Sequence, residues 1–143
     1  MNADSRLDGL YLPLRLCYGL VPIVAGLDKF TNLLTDWSQY LPGVMAETMP
    51  VEPGVFMMVV GVIEIVAGLS VLTKLTRLGG YVVCAWLLLI AVNVALAGYL
   101  DIAVRDVVMA LGAYTLSGLA AFRGERLIPF VGGGGAGASS FAS

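Results

Sequence analysis

Apolar residues run along this chain in four long stretches, and the charged and turn-forming residues collect between them. The stretches cover residues 10–27, 54–72, 78–100 and 102–122. A helix that crosses a bilayer core needs about 20 mainly apolar residues, at a rise of about 1.5 Å each. None of the stretches shows the alternating polar positions of an outer-membrane β-strand. Because backbone amides in lipid must be bonded within their own segment, the pattern predicts four membrane-spanning helices.

The first connection between these stretches is longer than the other two, because it occupies residues 28–53. Its apolar side chains recur at helical spacing, which predicts a short helix on the membrane surface that ends near Pro42. Two aromatic residues in it, Trp37 and Tyr40, are expected as anchors at the level of the lipid head groups. The apolar positions are Phe30, Leu33, Leu34, Trp37 and Leu41.

These elements predict an all-α fold, a bundle of four transmembrane helices with one short interfacial helix in the first loop. Residues 1–9 form an N-terminal segment, residues 10–126 the transmembrane domain, and residues 127–143 a Gly-rich tail. Helix 1 contains Pro13 near its expected start and Pro22 in its interior, where a proline is expected to bend the helix.

Composition agrees with a membrane location and excludes several classes of function. The chain is 59% hydrophobic and only 13% charged, whereas soluble domains carry about 25% charged residues. Its net charge of −2, with no basic stripe, excludes nucleic acid as a partner. Histidine is absent, so the chain alone cannot form a His-ligated metal or haem site or a histidine-dependent nucleophile. We therefore expect no metal site, no catalytic residue and no catalytic activity of its own.

The distribution of lysine and arginine predicts the orientation of the bundle. Short loops on the cytoplasmic side of a membrane are enriched in these residues. One side of the predicted bundle holds five of them (Arg6, Lys74, Arg77, Arg123 and Arg126), and the other holds Lys29 and Arg105. We expect a multi-pass protein of a bacterial-type inner membrane with both termini in the cytoplasm.

A nine-residue phrase occurs twice with small changes. GLVPIVAGL at residues 19–27 and GVIEIVAGL at residues 61–69 agree at six of nine positions. Each copy carries two glycines seven residues apart, which is nearly two helical turns, so each pair lies on one helix face. Small residues on one face let helix backbones approach closely in lipid. We expect two packing faces, plausibly against each other, formed by Gly19 and Gly26 and by Gly61 and Gly68.

The second copy of the phrase carries Glu64 on its glycine face, near the middle of the span. A charged side chain at that depth costs on the order of 3 kcal/mol or more, so it must be protonated or paired. Arg15 lies four residues before Gly19 on the glycine face of helix 1. The first prediction for a partner of Glu64 is therefore Arg15.

The opposite half of the bundle holds four more polar residues: Lys29, Asn93, Arg105 and Asp106. Two interpretations stay open. In one, Arg15 and Glu64 form a structural pair, Asn93 bonds between helices, and the other three lie at the interface. In the other, the polar interior binds a quinone-like head group or carries protons, because ionisable residues inside membranes often mark such sites.

Three segments resemble the DoxX family of small membrane proteins. They are RLCYGLVPIVAGLDKF, GVIEIVAGL and VRDVVMAL, and the resemblance covers about residues 10–125. It implies a four-helix bundle. It also implies a link to quinol oxidase or thiosulfate:quinone oxidoreductase assemblies. The resemblance also implies that the polar positions of the family correspond to Arg15, Lys29, Glu64, Arg105 and Asp106.

Three functions follow as hypotheses. The first is an accessory or structural subunit of a larger membrane complex in electron transport or photosynthesis, with membrane lipids and other subunits as partners. The second is a quinone-linked oxidoreductase component of the DoxX type. The third is a small transporter, which requires a midplane cavity and discontinuous helices. No cofactor is expected on the chain's own side chains, although a quinone or lipid is a candidate ligand.

Overall fold

A computed structural model describes residues 3–130, and these form an all-helical bundle. Its elements are α1 (Ala3–Asp28), a 3₁₀ turn (Trp37–Tyr40), α2 (Gly43–Thr48), α3 (Pro53–Leu72), α4 (Thr76–Leu96) and α5 (Leu100–Phe122). The four long helices, α1, α3, α4 and α5, are each long and apolar enough to cross a membrane. The predicted four-span all-α fold is therefore confirmed, and the chain is a multi-pass membrane protein. Most of the predicted tail, residues 131–143, lies outside the described residues.

The ends of the helices follow local signals in the sequence. Pro53 occupies the first turn of α3, where a missing N–H is harmless. Gly98 and Gly124 adopt positive φ angles of 95° and 79°, and the residues after them bond back to carbonyls in the last turns of α4 and α5. Because of Gly98, α4 ends at Leu96, before the predicted end at residue 100. Helix α1 begins earlier than predicted and contains Pro13 in its interior, so the placement of Pro13 near the helix start is wrong.

The predicted interfacial helix differs in form from the observed segment. Residues 29–36 form turns and bends, and helical structure appears only in the 3₁₀ turn and in α2. The side chain of Asp28 accepts hydrogen bonds from the backbone N–H groups of Leu33 and Leu34, and Asn32 adopts a positive φ of 50°. These features bend the chain where the spacing of apolar residues predicted a helix. Leu33 is 83% exposed, so it does not pack as a helical face would.

The helices pack as two pairs, α1 with α3 and α4 with α5, and the pairs join mainly through α3 and α4. We call the half that holds the start of α1 and the end of α5 the terminal half, and the other the loop half. The buried core lies in the terminal half and contains Tyr11, Ala67, Val71, Val83, Ala113, Leu116 and Ala120. The candidate site lies in the loop half.

The glycines of the repeated phrase join α1 to α3. A Cβ atom placed on Gly61 would lie 2.6 Å from the carbonyl oxygen of Gly26, and one on Gly68 would overlap the carbonyl oxygen of Gly19. The two glycine-bearing faces therefore lie against each other with their backbones in contact. Gly19 itself faces the side chain of Leu72. Only residues without a Cβ atom allow this separation.

Candidate functional site: a charged cavity in the loop half

A cavity of about 900 Å³ lies between the two helix pairs in the loop half of the bundle. Its wall is mostly apolar, and it also carries aromatic side chains from the first loop. Several apolar residues of the wall, among them Val21, Leu89 and Val92, are largely exposed on the outside of the bundle. The cavity therefore opens on the apolar surface that faces lipid.

The charged residues of the wall balance one another. They are Lys29, Glu64, Arg105 and Asp106, two cations and two anions. Lys29, Arg105 and Asp106 were predicted in one half of the bundle, and Glu64 joins them here because α1 ends, and α5 begins, in the loop half. Asn93 of α4 also lines the wall. Five of the six predicted polar residues thus share one cavity, and the exception is Arg15.

Glu64 is paired with Lys29. The Nζ atom of Lys29 donates a hydrogen bond to Oε2 of Glu64 at 2.6 Å, and the two residues are only 5% and 6% exposed. A short, charge-assisted hydrogen bond of this kind offsets part of the cost of burying both groups. The prediction that Arg15 pairs with Glu64 is wrong, as is the alternative that placed Lys29 simply at the interface.

Arg15 instead closes the C-terminal end of α3. Its guanidinium donates to the carbonyl oxygens of Val71, Leu72 and Thr73 at 2.7–3.1 Å. The last carbonyl groups of a helix have no partner within the helix and attract a cation. Arg15 is thus held in the terminal half by backbone groups that a sequence pattern does not reveal.

The loop after α1 positions an aromatic ring over Lys29. The carboxylate of Asp28 is buried and accepts hydrogen bonds from Thr31, Leu33, Leu34 and the indole N–H of Trp37, the last at 2.8 Å. The Nζ atom of Lys29 lies 3.7 Å from the centre of the Trp37 ring, in cation–π contact. Trp37, predicted as an anchor at the interface, therefore also forms part of the cavity wall.

Asn93 connects α4 to the same loop. Its side-chain amide donates a hydrogen bond to the carbonyl oxygen of Tyr40 at 3.0 Å. The ring of Tyr40 packs edge-on against Tyr99, with 5.0 Å between ring centres. The loop is thus fastened to α4 and covers the loop end of the cavity, so the interpretation of Asn93 as a bond between helices is replaced by a bond to this loop.

Of the charged groups in the wall, Asp106 is the one with the weakest hydrogen bonding. It is 4% exposed, and its nearest partner is the guanidinium of Arg105 at 3.5 Å, whose side chain is 66% exposed. Asp106 also lies close enough to Glu64 for the two carboxyl groups to interact electrostatically. Arg105 lies on the exposed side of α5, whereas Asp106 faces the cavity.

Two further polar side chains of the cavity could not be recognised as functional candidates from the sequence. The indole N–H of Trp86 is buried beside the carboxyl group of Glu64 and interacts with it, but among the described residues it makes no hydrogen bond of ordinary geometry. The hydroxyl of Tyr18 donates to the carbonyl oxygen of Met109 at 2.7 Å and joins α1 to α5 between the core and the cavity. Both lie in apolar runs, where an aromatic residue looks like ordinary core.

Fold and cavity together define a four-helix membrane protein with a charged cavity open to lipid. A model of the DoxX family matches residues 10–97, so the chain belongs to that family. The match ends just after α4. It includes Lys29, Glu64 and Asn93 but not Arg105 or Asp106 of α5, which the resemblance had also assigned to the family. No curated protein and no solved structure matches the chain.

Proposed function

We propose that this DoxX-family protein binds a quinone head group in its cavity and acts as an accessory component of a membrane electron-transport assembly. The observation that carries the proposal is a cavity of about 900 Å³ with a mostly apolar wall and a few buried polar groups. Ligand sites of small molecules have volumes of about 300–1,000 Å³ and this kind of wall. A ligand with an apolar tail could enter from the lipid through the side on which the cavity opens.

The chemistry of the wall fits a quinone ring. The indole N–H of Trp86, which makes no hydrogen bond of ordinary geometry within the described residues, can donate to a carbonyl oxygen, and Lys29 is a second donor in the same cavity wall. The aromatic rings of Trp37 and Phe56 offer flat apolar surface. Because the four charged residues of the wall cancel, a neutral ligand fits better than an ion.

The accessory role is proposed because the electrons must come from elsewhere. The chain has no histidine, so a His-ligated haem or copper centre would have to lie on a partner subunit. The glycine faces pack between α1 and α3, so a partner subunit would have to bind another surface of the bundle. Purification in mild detergent should retain a larger complex with redox centres, and a solitary particle with full quinone turnover would contradict this part of the proposal.

Transport is less well supported. A transporter of the predicted kind uses broken helices around its site. Each of the four spanning helices in the described structure is continuous, including α1 at Pro22.

The binding proposal can be tested with the two tryptophans of the chain, both of which line the cavity. A benzoquinone with a ten-carbon tail should quench their fluorescence saturably in the purified protein in nanodiscs. Ala25→Phe, which fills the cavity, should weaken this binding at least tenfold. The neighbouring Val24→Phe, on the exposed side of α1, should not. Equal, non-saturable quenching in all three proteins would contradict the proposal.

A further inference from the structure

Asp106 and Trp86 offer complementary hydrogen-bonding groups to a ligand in the cavity. The buried N–H of Trp86 lies beside Glu64 but makes no hydrogen bond of ordinary geometry among the described residues, so it can donate to an acceptor on a ligand. Among residues 3–130, the buried carboxylate of Asp106 has one hydrogen bond, the 3.5 Å contact with Arg105, so most of its acceptor positions are unused there. A carboxylate can accept about four hydrogen bonds, and leaving a buried one unsatisfied is costly.

We infer that the cavity prefers a neutral ligand that donates a hydroxyl group to Asp106, and that it therefore binds the reduced, quinol form of its ligand more tightly than the oxidised quinone. This inference rests on the proposed function. A quinol carries two hydroxyl groups, whereas a quinone carries only carbonyl oxygens. Both forms can accept a hydrogen bond from Trp86, but only the quinol can donate one to an ionised carboxylate at Asp106, which has no proton to donate in return.

The charges of the wall argue against the other class of donor, an amine cation. Lys29 already supplies a buried cation to the cavity and is paired with Glu64 at 2.6 Å. Arg105 lies beside Asp106 and keeps a positive charge next to it. A second buried cation would add repulsion from both, whereas a phenolic hydroxyl donates a hydrogen bond without a charge.

The experiment uses two redox-inert ligands that differ only in the donor. 4-Decylphenol has the hydroxyl group, and 4-decylanisole has a methyl ether in its place. Each is titrated into the full-length protein in nanodiscs that already holds the ten-carbon benzoquinone. Its affinity is measured from the recovery of tryptophan fluorescence as it displaces the bound benzoquinone. A hydrogen bond to a charged group is worth about a tenfold difference in affinity or more. We expect the phenol to bind the wild-type protein about tenfold more tightly than the ether.

Variants of the cavity wall test which residue causes the preference for the phenol over the ether. Asp106→Leu should bring the ratio of the two affinities close to one, and Asp106→Asn, which keeps a weaker acceptor in the same shape, should leave an intermediate ratio. Trp86→Phe should weaken both ligands equally, because both accept a hydrogen bond from the indole. Val108→Ala, on the exposed face of α5, is the matched control and should keep the wild-type ratio.

The outcomes separate the inference from the proposed function. Saturable binding of the quinone, with phenol and ether binding equally to the wild-type protein, would overturn the inference and leave the proposed function in place. A preference that persists unchanged in both Asp106 variants would overturn the role of Asp106. Absence of saturable binding by the quinone and by both ligands would remove the proposed function and the inference with it. The wild-type comparison decides the matter even where a variant does not fold.

Discussion

The buried ion pair between Lys29 and Glu64 shows how a single residue depends on its surroundings. Each group loses hydration in the bundle, and the 2.6 Å contact between them offsets part of that cost, as does the cation–π contact of Lys29 with Trp37. The pair therefore differs from a surface salt bridge, where removal of one partner changes stability little. Trp37 and Asp106 lie beside the pair, so the position of the pair affects any ligand in the cavity.

Lys29→Met should lower the free energy of unfolding by about 3–5 kcal/mol, because it leaves a carboxylate buried without a partner. Lys29→Met combined with Glu64→Met should recover most of this loss, since replacement of both partners by apolar groups is often neutral. Unfolding by SDS in mixed micelles measures both. A double variant as unstable as the single one would show that the pair is not what holds this region together.

Asp28 should control the position of Trp37. In a Trp86→Phe background Trp37 is the only emitting tryptophan, because the chain has two. Asp28→Ala removes the acceptor of the indole N–H and of two backbone N–H groups, so the emission of Trp37 should shift to longer wavelength as the ring meets water. Asp101→Ala, an exposed acid of α5, serves as the control and should leave the spectrum unchanged.

At the scale of elements, the contact between α1 and α3 depends on missing side chains. Gly61→Ala should lower stability by about 1–3 kcal/mol, because its Cβ would lie 2.6 Å from a backbone carbonyl that cannot move independently. Gly118→Ala in α5 is a matched control, because nothing lies within 4 Å of its Cβ position. Helical alanine is preferred over glycine, so this control should be neutral or slightly stabilising. Equal effects of the two substitutions on SDS unfolding would contradict the packing.

The cap on α3 makes a second prediction at this scale. Arg15→Met should cost about 1–3 kcal/mol, because it leaves carbonyl groups at the end of α3 without their donors. Its effect should add to that of Glu64→Gln within about 0.5 kcal/mol, since the two residues share no partner. A larger coupling energy between Arg15 and Glu64 in the double-mutant cycle would support the ion pair that the sequence predicted and contradict the cap.

For the whole molecule, the described chain begins and ends in the same half of the bundle. Arg123 near the end of α5 pairs with Asp8 of α1, and the hydroxyl of Tyr11 donates to Glu125 at 2.5 Å. Four crossings bring the two ends together in this way. Which side of the membrane they face stays a prediction from the distribution of lysine and arginine.

Sidedness can be measured by cysteine labelling after replacement of Cys17 and Cys84 by alanine. Glu47→Cys in α2 should react with a membrane-impermeant maleimide in intact cells. Asp4→Cys and Leu127→Cys should react only after the membrane is permeabilised. Reaction of all three in intact cells, or the reverse pattern, would contradict cytoplasmic termini.

The sequence by itself determined the four spans, the all-α class and the family, because length, hydropathy and loop composition are local properties that the bilayer makes decisive. It also indicated which polar residues matter, since a charge inside an apolar span is conspicuous without any structure. The glycine faces were visible for the same reason, because a helix has a regular period.

Only the tertiary structure decided which of these residues meet. Arg15 was predicted to pair with Glu64 and Lys29 to lie at the interface. The observed pairing depended instead on backbone carbonyls at the end of α3 and on the turn after α1. Asp28, Tyr18 and Trp86 gained their roles from partners 9 to 91 positions away or from a cavity between helices. Such pairings depend on how helices rotate and approach one another, which packing determines and local sequence does not encode.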